Sequence, residues 1–164
     1  MARYGSLQPA LDPIDYEITR LLKSNARLKA SDIARQLHAK ERTVRHRISR
    51  LIDLGIGQFT VFVDPRRFGY GIILDIFLRI DPARSTQIIQ DLLAMKNVCY
   101  LAEGETSQTI SIEARFKSVE QMHTFLRSTL PGMDGVTVSK YGFVTRLHRD
   151  FHEWMPPKEN FITQ

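Results

Sequence analysis

The chain has 164 residues, an apolar fraction of 43% and a single cysteine, Cys99, which supports a folded core and excludes both an apolar membrane-spanning run and an intrachain disulfide. The net charge of +5 is uneven: residues 1–60 hold eleven Lys/Arg against six Asp/Glu, and residues 61–164 hold twelve of each. A basic N-terminal module on a neutral body points to an anionic partner for that module and to no membrane. The opening residues MARYGSLQPALD lack the apolar core of a secretory signal, and the lone thiol suits a cytoplasmic location.

The first sixty residues read as three helices. Asp12-Pro13 supplies an N-cap followed by proline at the first helical position. Ile14, Ile18, Leu21 and Leu22 then recur at helical spacing to about Lys23. A second short helix spans about Ala30 to Gln36, with Ile33, Ala34 and Leu37 on its apolar side. His38-Ala39 is a tight link. The stretch KERTVRHRISRL opens a third helix that runs to Leu54 and is stopped by Gly55.

At 100° per residue, Val44, Ile48, Leu51 and Ile52 of this third helix share one arc, the core side. Arg42, His46, Ser49 and Asp53 lie opposite; Thr43, Arg45 and Arg50 flank that outer face; Lys40 and Arg47 sit nearer the core edge. A short helix, a tight link and a longer arginine-rich helix form the helix-turn-helix layout. Arginine suits the work because its planar fork grips guanine O6/N7 or two phosphate oxygens. Arg42, Thr43, His46 and Arg50 are therefore assigned to base edges, and Lys29, Lys40, Arg45 and Arg47 to phosphate. A merely solvated basic helix has the same charge count; the layout around it favours double-stranded DNA as the partner.

QFTVFVDP follows as a strand in which Phe59, Val61 and Val63 alternate with polar or opposite-facing neighbours, ended by Asp64-Pro65. Ile72 to Ile80 is a second strand with Ile72, Leu74, Ile76, Leu78 and Ile80 on one face. Asp81-Pro82 starts a helix with Ile88, Ile89, Leu92 and Leu93 buried. Val98 to Glu103 is a strand containing Cys99, taken as a small buried side chain. Gly104 to Ser107 is a turn, and Gln108 to Phe116 alternates with Ile110, Ile112, Ala114 and Phe116 inward. Ser118 and Gln121 form a capping box for a helix that buries Val119, Met122, Phe125, Leu126 and Leu130. Val136 to Leu147 is the last strand.

This β-α-β-β-α-β order is the ferredoxin-like split unit, a sheet with helices on one face. Ile73, Phe77, Tyr141 and Phe143 would make its other face partly apolar, so pairing with a second copy as a homodimer is expected. The fold class is thus α+β: a helix-turn-helix followed by a ferredoxin-like domain. Residues 1–57 form the DNA-binding domain, 58–71 a strand and linker, 72–147 the ferredoxin-like dimerisation domain, and 148–164 a tail. That tail carries Phe151, Trp154 and Phe161, more aromatic surface than a disordered tail needs, and is expected to pack on a neighbour. His148 and His152 stand at i,i+4 spacing without a third ligand at a recognised spacing, so no metal or other cofactor is expected.

LDPIDYEITRLL, RLKASDIARQL, TVRHRISRLIDLGI and VDPRRFGYG, followed by the βαββαβ unit with Gly104 after its second strand, resemble the Lrp/AsnC (feast/famine) transcriptional regulators over about Leu11 to Leu147. The resemblance implies a winged helix-turn-helix, promoter binding as a dimer, further assembly into octamers, and a ligand-sensing (RAM) domain over 72–147 that holds a small effector such as an amino acid. It implies an effector loop at Gly104, Glu105, Thr106 and Ser107. The chain departs from the family at Lys29 and Lys40, where serine or threonine is usual at helix starts, at His38, where the turn usually has glycine, and at Ser107, where aspartate is common. The layout is also similar to that of siroheme decarboxylases, for which His123, His148 and His152 would matter. Such an enzyme has no need of the basic third helix, and the reading chosen is a regulator without enzymatic activity.

Overall fold

A computed structural model describes residues 10–104, 108–150 and 153–161. The chain divides into two units: the first runs to Phe62 and resumes at Asp150, and the second is Val63–Arg149.

In the first unit, α1 (Pro13–Ser24), α2 (Ala30–Gln36) and α3 (Glu41–Asp53) bury one small core. Ile18, Leu21, Ile33, Ala34, Val44 and Leu51 fill it, with Leu22, Leu37 and Ile48 partly buried around them. The wheel placed Ile52 in this core, but it is exposed. Helices α2 and α3 both end in a Schellman turn. After α2, the N–H of Ala39 donates to Ala34 O at 2.9 Å and that of His38 to Arg35 O; after α3, Ile56 donates to Leu51 O and Gly55 to Ile52 O, each at 2.9 Å. The turn needs a left-handed residue. Gly55 supplies it at φ +69°, and His38 supplies it at φ +50° in spite of its Cβ.

The strand predicted over residues 58–63 does not form within the single chain. Phe59, Val61, Phe62 and Val63 are exposed, Val61 at 84%. An alternating segment with no neighbour to pair with has no ladder to join.

The second unit is a four-stranded antiparallel sheet in the order β2-β3-β1-β4, with β1 Ile72–Ile80, β2 Val98–Glu103, β3 Thr109–Phe116 and β4 Val136–Phe143. Two helices cover one face: α4 (Ser85–Ala94) and α5 (Val119–Thr124), the latter continuing through a π-helical turn, Phe125–Thr129. Leu74, Ile76 and Leu78 of β1 and Ile110, Ile112 and Ala114 of β3 meet Ile88, Leu92, Met122, Phe125, Leu126 and Leu130 in the core. Leu93 and Val119, predicted to be buried, are exposed. Ser118 caps α5 by accepting from the Gln121 N–H, but the Gln121 side chain accepts from Lys117 N, one residue short of a reciprocal box.

A bulge corrects the face assignment in β4, which also ends at Phe143 rather than Leu147. Register with β1 slips between Phe77 and Leu78, so Val138 opposes Leu78 while Tyr141 opposes Ile76 and Phe143 opposes Leu74. The extra residue flips parity, and Tyr141 and Phe143 point to the helix side. Lys140 takes the open face instead, its Nζ 4.4 Å from the Phe77 ring centroid. The open face keeps Ile73 and Phe77 with Tyr100. Cys99 is exposed there rather than buried, its Sγ 3.1 Å from Glu113 Oε1 and 3.3 Å from Arg115 Nε. Partial burial of the sulfur and the adjacent carboxylate push its pKa up to about 11, against the pull of Arg115.

Candidate nucleic-acid interface

The site starts from a buried carboxylate. Asp12 caps α1 by accepting from the N–H of Ile14 at 2.8 Å and of Asp15 at 3.0 Å, and Asp15 accepts in return from the N–H of Asp12 at 3.2 Å. This capping box fixes Asp15 in the first turn, 0% exposed. A buried ionised carboxylate must be paired. Both partners come from α3: Arg47 Nη1 lies 2.9 Å from Asp15 Oδ1 and 2.7 Å from Asp12 Oδ2, and Arg50 Nη1 lies 3.3 Å from Asp15 Oδ2. The second nitrogen of Arg50 donates to the Ala10 carbonyl. Burial works against the charge on Arg47, but Asp12 and Asp15 outweigh it and raise its pKa. Burial likewise opposes ionisation of Asp12, and the Asp15 N–H and Arg47 bring its pKa below the ordinary carboxylate range.

These contacts sort the basic residues of α3 into two edges. On one edge Arg47 and Arg50, assigned from sequence to phosphate and to a base edge, are engaged with α1 and only partly exposed. A guanidinium holding a buried carboxylate leaves it uncompensated when it turns outward, so a DNA contact by either arginine competes with its hold on α1. On the other edge Arg42, Arg45 and His46 are exposed; Thr43 is exposed as well, but on the wheel it lies between Arg47 and Arg50. Arg45 Nε donates to Glu41 Oε1 at 2.9 Å, one turn back on the same helix; such an exposed pair is worth a few tenths of a kcal/mol, so Arg45 can exchange it for another anion. Lys29 and Lys40 occupy the N-cap positions of α2 and α3, are exposed, and make no side-chain cap. The outer edge of α3 and the starts of α2 and α3 thus present cationic side chains.

Residues 11–56 match the winged helix-turn-helix DNA-binding family. An uncharacterized HTH-type transcriptional regulator of Pyrococcus furiosus is 30% identical over 127 residues, covering 77% of this chain and 85% of that protein. The chain belongs to the Lrp/AsnC family of transcriptional regulators. Among solved structures, an AsnC-family regulatory protein of Pyrococcus furiosus superposes with a TM-score of 0.76 at 21% identity, over 94% of this chain and 99% of that one. A Neisseria meningitidis transcriptional regulator solved with L-Met gives 0.76 at 20% identity, over 85% and 93%. These two share the fold, including the helix-turn-helix and the βαββαβ unit.

This Lrp/AsnC chain is a DNA-binding transcriptional regulator, and the relatives support that reading over the decarboxylase one. Of the loop residues singled out for an effector, Gly104 continues the β2–β3 ladder, its N–H donating to Thr109 O at 2.8 Å. A Cβ there would lie 3.3 Å from the same oxygen, so the loop begins where a larger residue crowds the backbone. Glu105, Thr106 and Ser107 lie outside the described residues, as does His152. No helix among the described residues is long and apolar enough to cross a membrane. Sequence reasoning missed Asp15 as the anchor of α3. Its signal was present in DPID, where an acid three residues after an aspartate cap completes a capping box.

Proposed function

We propose that the chain reads promoter DNA as a homodimer, with the outer edge of α3 in the major groove. Arg42, Thr43 and His46 contact base edges; Lys29, Lys40 and Arg45 contact phosphate. What carries this reading is the division of α3: Arg47 and Arg50 are held by Asp15, and the cations left in solvent all lie on one side. Lysine at an N-cap gives up a capping hydrogen bond and opposes the helix dipole, and contact with phosphate compensates for that at Lys29 and Lys40. Two copies set two α3 helices into successive grooves, on a pseudo-palindromic site with half-sites one helical turn or a multiple apart.

The N-terminal residues 1–57 act as the DNA-binding domain, 58–71 as the connection, and 72–147 as the pairing and sensing domain. Exposed Phe59, Val61 and Val63 and the open sheet face with Ile73, Phe77 and Tyr100 support pairing with a second copy, and dimers assemble further, up to octamers. A small effector such as an amino acid binds at the loop 104–107; the L-Met held by the Neisseria protein supports that class of ligand. The site of action is the cytoplasm, where the DNA is, and the protein acts by binding rather than by catalysis.

Selection of bound fragments from genomic DNA, with and without a pool of amino acids, tests the reading. Enrichment of one pseudo-palindromic motif, shifted by the pool, is the expected result. Recovery of fragments no different from random DNA would overturn it.

A further inference from the structure

Both ends of the described chain contribute to the first unit. The chain leaves it between Phe62 and Val63 and re-enters between Arg149 and Asp150. The returning segment makes a defined contact. Lys158–Phe161 form a short helical turn, and Phe161 is 3% exposed. Its ring meets that of Tyr16 edge-on, with centroids 5.2 Å apart and planes at 76°. Lys158 Nζ lies 5.8 Å from the Tyr16 centroid and 3.9 Å from Glu17 Oε1. On the helical wheel, Tyr16 lies on the side of α1 away from Ile18 and Leu21, and Glu17 lies between the two. The tail therefore packs on its own α1, on a face the three-helix core does not use.

A domain joined to its neighbour by one connection swivels about it; a second, anchored connection confines it. We propose that Lys158–Phe161 is a clasp that makes the tail a second tether of the recognition unit, and so narrows the half-site spacings that a dimer accepts. Phe161 is the positioning residue, with Lys158 in support. Neither touches DNA in this account, which rests on the dimeric DNA-binding reading above. An unclasped unit reaches half-sites over a wider range, while each half-site is read as before.

The test compares three full-length proteins: the natural chain, Phe161→Ala, and a chain with about twenty Gly/Ser residues inserted between Pro156 and Pro157. The insertion keeps Phe161 on Tyr16 but adds slack of about 25 Å root-mean-square. Backbone 15N relaxation is measured on α1–α3 and on β1–β4 of each protein without DNA. The two sets of amides tumble together in the natural chain, and α1–α3 become faster in both altered proteins. Binding is then measured on a selected operator and on versions with its half-sites moved by two base pairs. The natural chain loses about tenfold or more, and both altered proteins lose less than about threefold.

If the insertion leaves relaxation and spacing preference as in the natural chain, Phe161 only packs, and the clasp is overturned even where Phe161→Ala has an effect. If Phe161→Ala unfolds the three helices, the insertion alone decides. If the natural chain selects no operator, the DNA reading has failed, and the relaxation comparison still decides the tether.

Discussion

Arg42 and Arg47 stand five residues apart on the same helix. Arg42 is exposed, and among the described residues no carboxylate lies within ion-pair distance of it; Arg47 is folded against Asp12 and Asp15 at 2.7 and 2.9 Å. The residue type is the same, and what differs is the ground beneath it: a carboxylate that is 0% exposed at one edge of α3, and solvent at the other. A count of arginines on a recognition helix therefore overstates the number free to meet DNA. The inner edge holds α3 on α1, and the outer edge is left in solvent.

The largest expected break in this comparison comes from Asp15→Ala. It leaves two guanidinium groups without their shared partner and should destabilise the three-helix unit by about 3 kcal/mol, the low end for a buried pair because both arginines can turn to water. Native-state hydrogen exchange of α3 amides in the full chain reads this directly. At the outer edge, Arg42→Ala should cost about 1–3 kcal/mol of discrimination at one base position while leaving exchange protection unchanged. A binding titration against single-base operator variants measures it.

A smaller effect should come from the α2 turn. His38 holds a left-handed backbone that glycine adopts without strain, so His38→Gly should raise stability by about 0.5 kcal/mol after the entropy glycine loses on folding. Thermal melts of the two proteins compare them. The smallest effect is acid sensitivity. The pKa of Asp12 is lower in the folded chain than in the unfolded one. Its contribution is therefore complete above the ordinary aspartate value of about 4, and is lost as pH falls through the lowered folded value. Protection of α1 amides should decline across that window, and less steeply in Asp12→Asn.

Periodicity made the helices and strands legible because apolar spacing and caps are local: Pro13, Gly55 and the alternation of Ile110, Ile112 and Ala114 each act on their own neighbours. What escaped was set by partners distant in sequence. Arg47 and Arg50 lie 32 and 35 residues from Asp15, and a helical wheel cannot register a carboxylate on another helix. Tyr141 and Phe143 were put on the wrong face because a bulge inserts one residue without any signal in the alternation. Phe59, Val61 and Val63 alternate as a strand does, but a strand also needs a neighbour. For Arg42, Arg45 and His46 the sequence and the structure agree, since their exposure follows from the wheel alone.

The central claim is tested most directly by measuring Arg42→Ala and Arg47→Ala side by side, each for α3 hydrogen exchange and for the salt dependence and sequence preference of operator binding. Opposite outcomes are expected. Arg42→Ala keeps its protection and loses discrimination at one base position of the operator, whereas Arg47→Ala loses protection and keeps the natural salt slope. Unchanged protection in Arg47→Ala, with a salt slope lower by about one phosphate contact, would contradict it.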